Sequence, residues 1–403
     1  MNCRSCKNNH IISILSLGEV PLANRLLKST QLKEKEPKYP LELVLCTTCS
    51  LIQLKDTIPP SHLFDEYLYF SSHSDTMIQS AKTLVEKLIP TLPNNAMIIE
   101  VASNDGYLLQ HYINRNIKVL GIEPAKNIAE HAIKRGIPTK CNYFNTQLAL
   151  ELIETGFQAD VIHANNVMAH VPDINDFVFG LKQLLGSKGQ IIIEVPYLIN
   201  LISHGEFDTI YHEHVYYFSL LSLIPLFHRH GLIIADVEEI PIHGGSLRLY
   251  IKHHTETPST NTVNDLLEKE KKNGVNRLDY YQDFSKRILT LKEDLLSLLT
   301  LLKKQGKKIA AYGASAKGST LLNFFGITHN LIDFVVDRSP IKQGYFMSGV
   351  HLPIYSPEHL IKEKISYTLL LTWNFAEEIL NQQKNYREQG GQFIIPIPML
   401  QVV

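Results

Sequence analysis

Short apolar runs that end in small or polar residues, each followed by a helical pattern, recur through most of this chain and restrict its fold more than any other feature. Ala96-Met-Ile-Ile-Glu-Val101 leads into Ser103-Asn-Asp-Gly106 and a helix. Lys118-Val-Leu-Gly-Ile-Glu123, Val161-Ile-His-Ala-Asn165 and Gln190-Ile-Ile-Ile-Glu-Val195 repeat the arrangement. Strands joined through helices pair in parallel, so the pattern predicts βαβ units in an open α/β sheet. A second α/β series starts at Lys307-Lys-Ile-Ala-Ala-Tyr-Gly313, continues through Leu331-Ile-Asp-Phe-Val-Val-Asp337 and runs to the end. Between the two series lies a polar stretch, about 263–304, with an apolar seam at Phe284, Ile288, Leu291, Leu295, Leu298 and Leu302. That spacing predicts one long amphipathic helix joining two domains. An earlier helix is expected over Asp75–Leu88, closed by Pro90 and Pro93.

At 403 residues the chain has room for two to three domains of roughly 100–200 residues. The divisions fall at 1–75, a Cys-rich module with little helical periodicity, then 76–255 and 256–403. Hydrophobic residues make up 44% and charged residues 20%, which excludes disorder and coiled coil. A net charge of −1 leaves no basic stripe for nucleic acid and no polybasic membrane signal. No apolar run reaches the ~18 residues of a membrane span; the run around Phe218–Phe227 is short and contains Pro225. The opening Met-Asn-Cys-Arg-Ser-Cys lacks the layout of a signal peptide, and five cysteines are too few for a disulfide scaffold. A cytoplasmic protein is the expectation.

Four of those cysteines form two pairs, Cys3-x-x-Cys6 and Cys46-x-x-Cys49. Each pair can set two thiolates on one turn, and two such turns supply the tetrahedral sulfur set that zinc prefers. A closed four-sulfur site has no open position for substrate, so its role is folding. Residues 7–45 must fold back as a small subdomain between the pairs. Cys141 stands alone and reads as a core residue.

The loop Glu100-Val-Ala102-Ser103-Asn104-Asp105-Gly106 sits where a nucleotide-binding fold carries its glycine-rich turn, but keeps only the last glycine. Ala102 and Asn104 are small or tolerant of left-handed backbone and still permit close approach to a ligand. Glu123 closes the next strand, where a carboxylate would accept both ribose hydroxyls; Asn165 and Asn166 end a third strand at the same sheet edge. S-adenosylmethionine and a nicotinamide cofactor both fit at this level. The absence of Gly-x-Gly-x-x-Gly disfavours the second.

The densest chemistry lies in Phe207-Asp-Thr-Ile-Tyr211-His212-Glu213-His214-Val-Tyr-Tyr-Phe-Ser219, following Glu194-Val-Pro-Tyr by a loop. Imidazoles, carboxylates and phenols packed this closely suit acid–base work, and His170 falls on the same sheet edge. A hydrogen-bonded latch between domains is the alternative.

In these motifs, taken in order, the chain resembles the S-adenosylmethionine-dependent sugar C-methyltransferases of deoxysugar biosynthesis. The resemblance covers the four-Cys module, the 100–106 loop, Gly121-Ile-Glu-Pro124, Asn165-Asn-Val-Met-Ala-His170 and Tyr211-His-Glu-His214. It extends to His243-Gly-Gly-Ser-Leu-Arg248 and Tyr312-Gly-Ala-Ser-Ala-Lys-Gly318. It implies an α/β protein with a zinc-binding module, a Rossmann-like methyltransferase domain and a second Rossmann-like domain. It implies methylation at carbon 3 of a nucleotide-linked 4-keto-6-deoxysugar, with S-adenosylmethionine and zinc as cofactors.

Carried onto this sequence, the cofactor lies over 102–106 with Glu123 on its ribose, and Tyr67, Tyr69, Ser71 and Ser72 resemble a segment that closes over it. A proton next to a ketone leaves only for a positioned base with the enolate stabilised. His214 is the expected base, Glu213 orients it or a neighbour, Tyr211 donates to the enolate oxygen, and His170 shares that task or binds a sugar hydroxyl. The substrate's diphosphate is expected at Ser315 and Lys317, before a helix starting near Ser319, and at Arg248. Other readings are methylation at oxygen or another carbon, a nicotinamide oxidoreductase using Asp337, and a non-catalytic nucleotide-binding scaffold.

Overall fold

The computed structural model describes residues 1–59, 63, 70–254 and 259–403, with the side chain of His243 left aside. Its strands, in chain order, begin with β1 (Ile11–Val20), β2 (Tyr39–Cys46) and β3 (Ile52–Leu54). Then follow β4 (Met97–Val101), β5 (Lys118–Ile122), β6 (Thr139–Lys140), β7 (Ala159–Asn165), β8 (Leu185–Pro196), β9 (Tyr216–Tyr217), β10 (Leu232–Ile240) and β11 (Ser246–His253). The last series is β12 (Ile309–Tyr312), β13 (Val335–Val336), β14 (Ile354–Tyr355), β15 (Tyr367–Leu370), β16 (Gln392–Ile395) and β17 (Gln401–Val402).

They form three sheets, ordered β1-β2-β3-β9, β10-β11-β8-β7-β4-β5-β6 and β14-β13-β12-β15-β16-β17. The middle sheet is parallel from β8 to β6 and ends in the antiparallel pair β11 and β10. The third is parallel except for β17. Strand order reverses at β4 in one and at β12 in the other. Open α/β sheets collect ligands beyond the carboxyl ends of the strands at such points.

The central strands bury side chains on both faces, as continuous apolar runs should: Ile98, Ile99, Ile162, Ile191 and Ile193 are all fully covered. The helix over Asp75–Leu88 starts on its Ser74 cap and buries Met77, Ala81, Leu84, Val85 and Leu88 against one of those faces. Fully burying a side chain of this kind is worth about 1.5–3 kcal/mol. The expected single linker helix is instead two, Asn261–Asn273 and Leu278–Lys304. Gly274, at φ 79°, takes the left-handed turn that ends the first. The seam survives in the second helix, where Phe284, Ile288, Leu295 and Leu302 are buried.

The first sheet crosses the division expected at residue 75. Its fourth strand, β9, comes from the middle of the chain, with Ile52 opposite Tyr217 and Gln53 opposite Tyr216. Cys141 is exposed rather than core, its thiol directed at the Pro124 carbonyl at 3.6 Å, because β6 is only two residues long and ends before it. Among the described residues no helix is long and apolar enough to cross a membrane.

Candidate active site

Cys3, Cys6, Cys46 and Cys49 converge until their sulfurs all lie within 4.8 Å of one another. Each pair closes on a left-handed residue, Lys7 at φ 64° and Ser50 at φ 60°. Lys7 N–H then donates to the Cys3 carbonyl (2.9 Å) and Ser50 N–H to that of Cys46 (2.8 Å). Sulfurs approach to 3.7 Å (Cys3–Cys49) and 3.6 Å (Cys6–Cys46) without disulfides. A tetrahedron with Zn–S bonds of about 2.3 Å has edges of about 3.8 Å, so the donor set fits zinc. Gln53 extends the site: its Nε2 donates to Cys3 Sγ at 3.2 Å while its backbone pairs with β9.

At the β4 edge the loop 102–106 takes left-handed backbone at Ala102 (φ 56°), Asn104 (φ 49°) and Gly106 (φ 79°). A Cβ on Gly106 would stand 2.6 Å from Ile137. The expected substitutes for glycine therefore do take the backbone that glycine takes, at a steric cost the surrounding structure must carry. Glu123, 4% exposed, grips the loop from β5. Its two oxygens accept from Asn104 N–H (3.0 Å) and Ala125 N–H (2.9 Å), and burial pushes its pKa up to about 7 against those two bonds. Burial raises the Glu100 carboxyl as well, reinforced by Asp105, Glu123 and Glu194.

Among the described residues this edge collects buried polar atoms without partners: Glu100 Oε2, Ser103 Oγ, Asp105 Oδ1, Asn165 Oδ1 and Asn166 Oδ1. Uncompensated, each costs on the order of 1–3 kcal/mol, so the edge suits a polar ligand. Ser71 N–H donates to Asn104 Oδ1 at 2.9 Å and Ser72 is half-buried, which brings that segment onto the loop; Tyr67 and Tyr69 lie outside the described residues.

Beyond β7, His170 and His214 meet edge to face, with ring centroids 4.9 Å apart. His214 Nδ1 lies 2.8 Å from the Thr209 carbonyl, which can only accept, so Nδ1 carries the proton. In the neutral ring Nε2 then holds the lone pair, and Tyr211 O–H donates to it at 2.9 Å. Burial lowers the His170 pKa to about 4. Glu213 is buried, with a pKa pushed up to about 7, and both its oxygens accept from Asn24 Nδ2 at 2.8 Å.

Three family models match successive parts of the chain: a zinc binding domain over residues 3–64, a methyltransferase domain over 74–237 and a C-methyltransferase C-terminal domain over 241–398. The C-methyltransferase NovU of Streptomyces niveus is 35% identical over 407 residues, spanning 100% of this chain and 96% of that protein. The chain belongs to the C-methyltransferase family.

Membership makes it an S-adenosylmethionine-dependent methyltransferase with a zinc-binding module. Two solved methyltransferases also resemble part of it. Magnesium protoporphyrin IX methyltransferase of Synechocystis is 14% identical, with 46% of this chain and 85% of that chain covered at a TM-score of 0.34. The CcbJ methyltransferase of Streptomyces caelestis is 9% identical, with 43% and 89% covered at 0.34. At that similarity neither bears on what this C-methyltransferase does.

Several expected roles change with the geometry. The Thr209 carbonyl, not Glu213, fixes the His214 tautomer, because the Glu213 carboxylate turns to Asn24 of the zinc-binding module. Arg248 is not free for phosphate: it lies across the sheet from Glu194 and Glu238, with Nη2 2.7 Å from Glu194 and Nη1 3.3 Å from Glu238. The helix after β12 starts at Ala316 rather than near Ser319, and Ser315 caps it by accepting from Gly318 N–H at 3.1 Å. The Lys317 ammonium sits over the Trp373 ring, 4.5 Å from its centroid, with the Glu206 and Asp208 carboxylates in electrostatic range. The sequence reading missed Asn24, Thr209 and Trp373. Thr209 acts through its main chain and leaves no signature, whereas Trp373 is the chain's one tryptophan and stood in plain view.

Proposed function

We propose that this C-methyltransferase adds the methyl of S-adenosylmethionine to carbon 3 of a nucleotide-linked 4-keto-6-deoxysugar. The observation that carries the reading is the Tyr211–His214 pair on the same sheet edge as the 102–106 loop. The cofactor, when bound, supplies the electrophilic methyl. Glu100, Ala102, Ser103, Asn104, Asp105, Gly106, Asn165 and Asn166 line its place, with Ser72 beside it. Each Glu123 oxygen keeps a lone pair beyond its backbone bond for a ribose hydroxyl.

His214 takes the carbon-3 proton on Nε2, the nitrogen left unprotonated by the Thr209 bond. Tyr211 must then pass its hydroxyl hydrogen bond from His214 to the sugar's carbonyl oxygen, so substrate entry trades one acceptor for another. His170, kept neutral by burial, hydrogen-bonds the substrate without competing for the proton. The Glu213 backbone hydrogen-bonds the His170 ring, and its carboxylate ties the same segment to the zinc-binding module through Asn24. Carbon methylation needs both a base and an enolate donor, and methylation at oxygen needs only the first. A neighbouring tyrosine and histidine supply both. On this reading the working divisions remain 1–75, 76–255 and 256–403, and the protein works in the cytoplasm.

The test is exchange of the carbon-3 proton. With substrate deuterated there, wild type loses the label to water and His214→Gln slows the loss by about 10²–10⁴-fold. Washout at the wild-type rate would place the base elsewhere.

A further inference from the structure

The turn Phe207–Thr209 belongs by sequence to the middle α/β unit and by packing to the C-terminal one. Phe207 stacks on Phe325, with ring centroids 4.9 Å apart at 21°, and meets Phe324 at 5.7 Å. Asp208, at 0% exposure, accepts from the Trp373 indole N–H at 2.7 Å through Oδ2, while its Oδ1 is buried without a partner. Lys317, from the helix after β12, sets its ammonium over the face of that indole. One residue further on, the Thr209 carbonyl holds His214 Nδ1. Its own hydroxyl donates back to the Glu206 carbonyl at 2.8 Å, closing the turn.

We propose that Trp373 is a positioning residue for proton transfer: its indole N–H fixes Asp208, and so the Phe207–Thr209 turn, with the Thr209 carbonyl aimed at His214 Nδ1. The inference rests on the reading of His214 as the base. Two side chains of the C-terminal unit, Trp373 and Phe325, thereby set which nitrogen of the base carries the proton. A buried carboxylate is costly unless it is bonded, and an ion pair alone would leave its direction free. The indole donor supplies that direction, so the C-terminal unit reaches the chemistry through a single hydrogen bond to the Phe207–Thr209 turn. Lys317 takes part in two ways, by packing on the ring and by facing the Asp208 carboxylate directly with its charge.

The test uses the full-length zinc-loaded protein labelled with ¹⁵N-histidine, its His214 resonances assigned through His214→Gln. Wild type shows one neutral tautomer protonated at Nδ1. In Trp373→Phe, which keeps the ring's bulk and removes the donor, His214 becomes a mixture of tautomers. The methyl-transfer kcat then falls about tenfold, with KM for S-adenosylmethionine unchanged. An unaltered His214 tautomer in folded Trp373→Phe overturns the proposal.

Trp373 also reports without being replaced, since it is the one tryptophan. Its emission in His214→Gln is expected to shift from wild type, and an identical spectrum counts against the bridge even if Trp373→Phe fails to fold. Methyl transfer by His214→Gln is a separate readout: full activity there removes the base assignment and leaves the tautomer result standing by itself.

Discussion

In the middle unit, Glu123 at the end of β5 accepts from Asn104 N–H in the loop after β4 and from Ala125 N–H two residues on. In the C-terminal unit, Asp337 after β13 accepts from Ala314 N–H (2.8 Å) in the loop after β12 and from Ser339 N–H (2.8 Å) two residues on. The construction is the same: an acid after the second strand clamps the turn that leaves the first. What differs is the use of the remaining polar groups. Around Glu123 they are buried and unpaired at Glu100, Ser103, Asp105, Asn165 and Asn166. Around Asp337 most are spent on the protein itself, although Lys317 Nζ and Thr372 Oγ1 stay buried without a hydrogen-bond partner. Ser315 caps its helix, Lys342 donates to the Ala314 carbonyl at 2.7 Å, and Lys317 packs on Trp373 at the junction with the middle unit. One scaffold therefore occurs twice, once with buried polar groups left over at its strand edge and once with side chains docked against the neighbouring unit.

Exchanging the clamps separates the two uses most strongly. Glu123→Ala should weaken S-adenosylhomocysteine binding by about 30–150-fold, the loss of about 2–3 kcal/mol for hydrogen bonds to a charged group. Asp337→Ala should change it less than about twofold by the same calorimetric titration while lowering the melting temperature. Alanine at the turn glycines comes next. Gly106 and Gly313 both have positive φ, at 79° and 99°, and a Cβ on either would stand 2.6 Å from a neighbour, Ile137 and Thr372 respectively. Each substitution should cost about 1–3 kcal/mol in denaturant unfolding, with cofactor affinity falling only for Gly106→Ala. Ser315→Ala should cost about 1 kcal/mol as a lost cap and leave nucleotide diphosphate affinity unchanged.

The smallest effect is one of pH. The carboxyls of Glu123 and Glu213 rise from 4.5 to about 7 in the folded protein, so between those values the native state binds more protons than the unfolded chain. Stability then falls as pH rises across that window and levels above it. Melting curves should show the slope in wild type and a shallower one in Glu123→Gln.

The strand ends, both α/β units, the four-cysteine site and the His170–His214 edge were legible because each leaves a local mark: an apolar run, a turn residue, a metal-ligand spacing. Ala102 and Asn104 could be read as glycine substitutes for the same reason. What escaped was made by distance in the chain. Asn24 reaches Glu213 across 189 positions, and β9 completes a sheet begun near the N-terminus. Arg248, Ser315 and Lys317 have the right charge or hydroxyl for phosphate, but residue type does not reveal that Glu194, the Gly318 amide and Trp373 already engage them. Chemistry is visible in sequence; prior commitment of a side chain is a fact of packing.

The most direct test of the central claim follows the methyl itself. Incubation with ¹³C-methyl-labelled S-adenosylmethionine and a nucleotide-linked 4-keto-6-deoxysugar should give a product whose labelled methyl couples to carbon 3 of the sugar by NMR, and His214→Gln should give almost none. A labelled methyl bonded to oxygen, or equal yield from His214→Gln, would contradict the account.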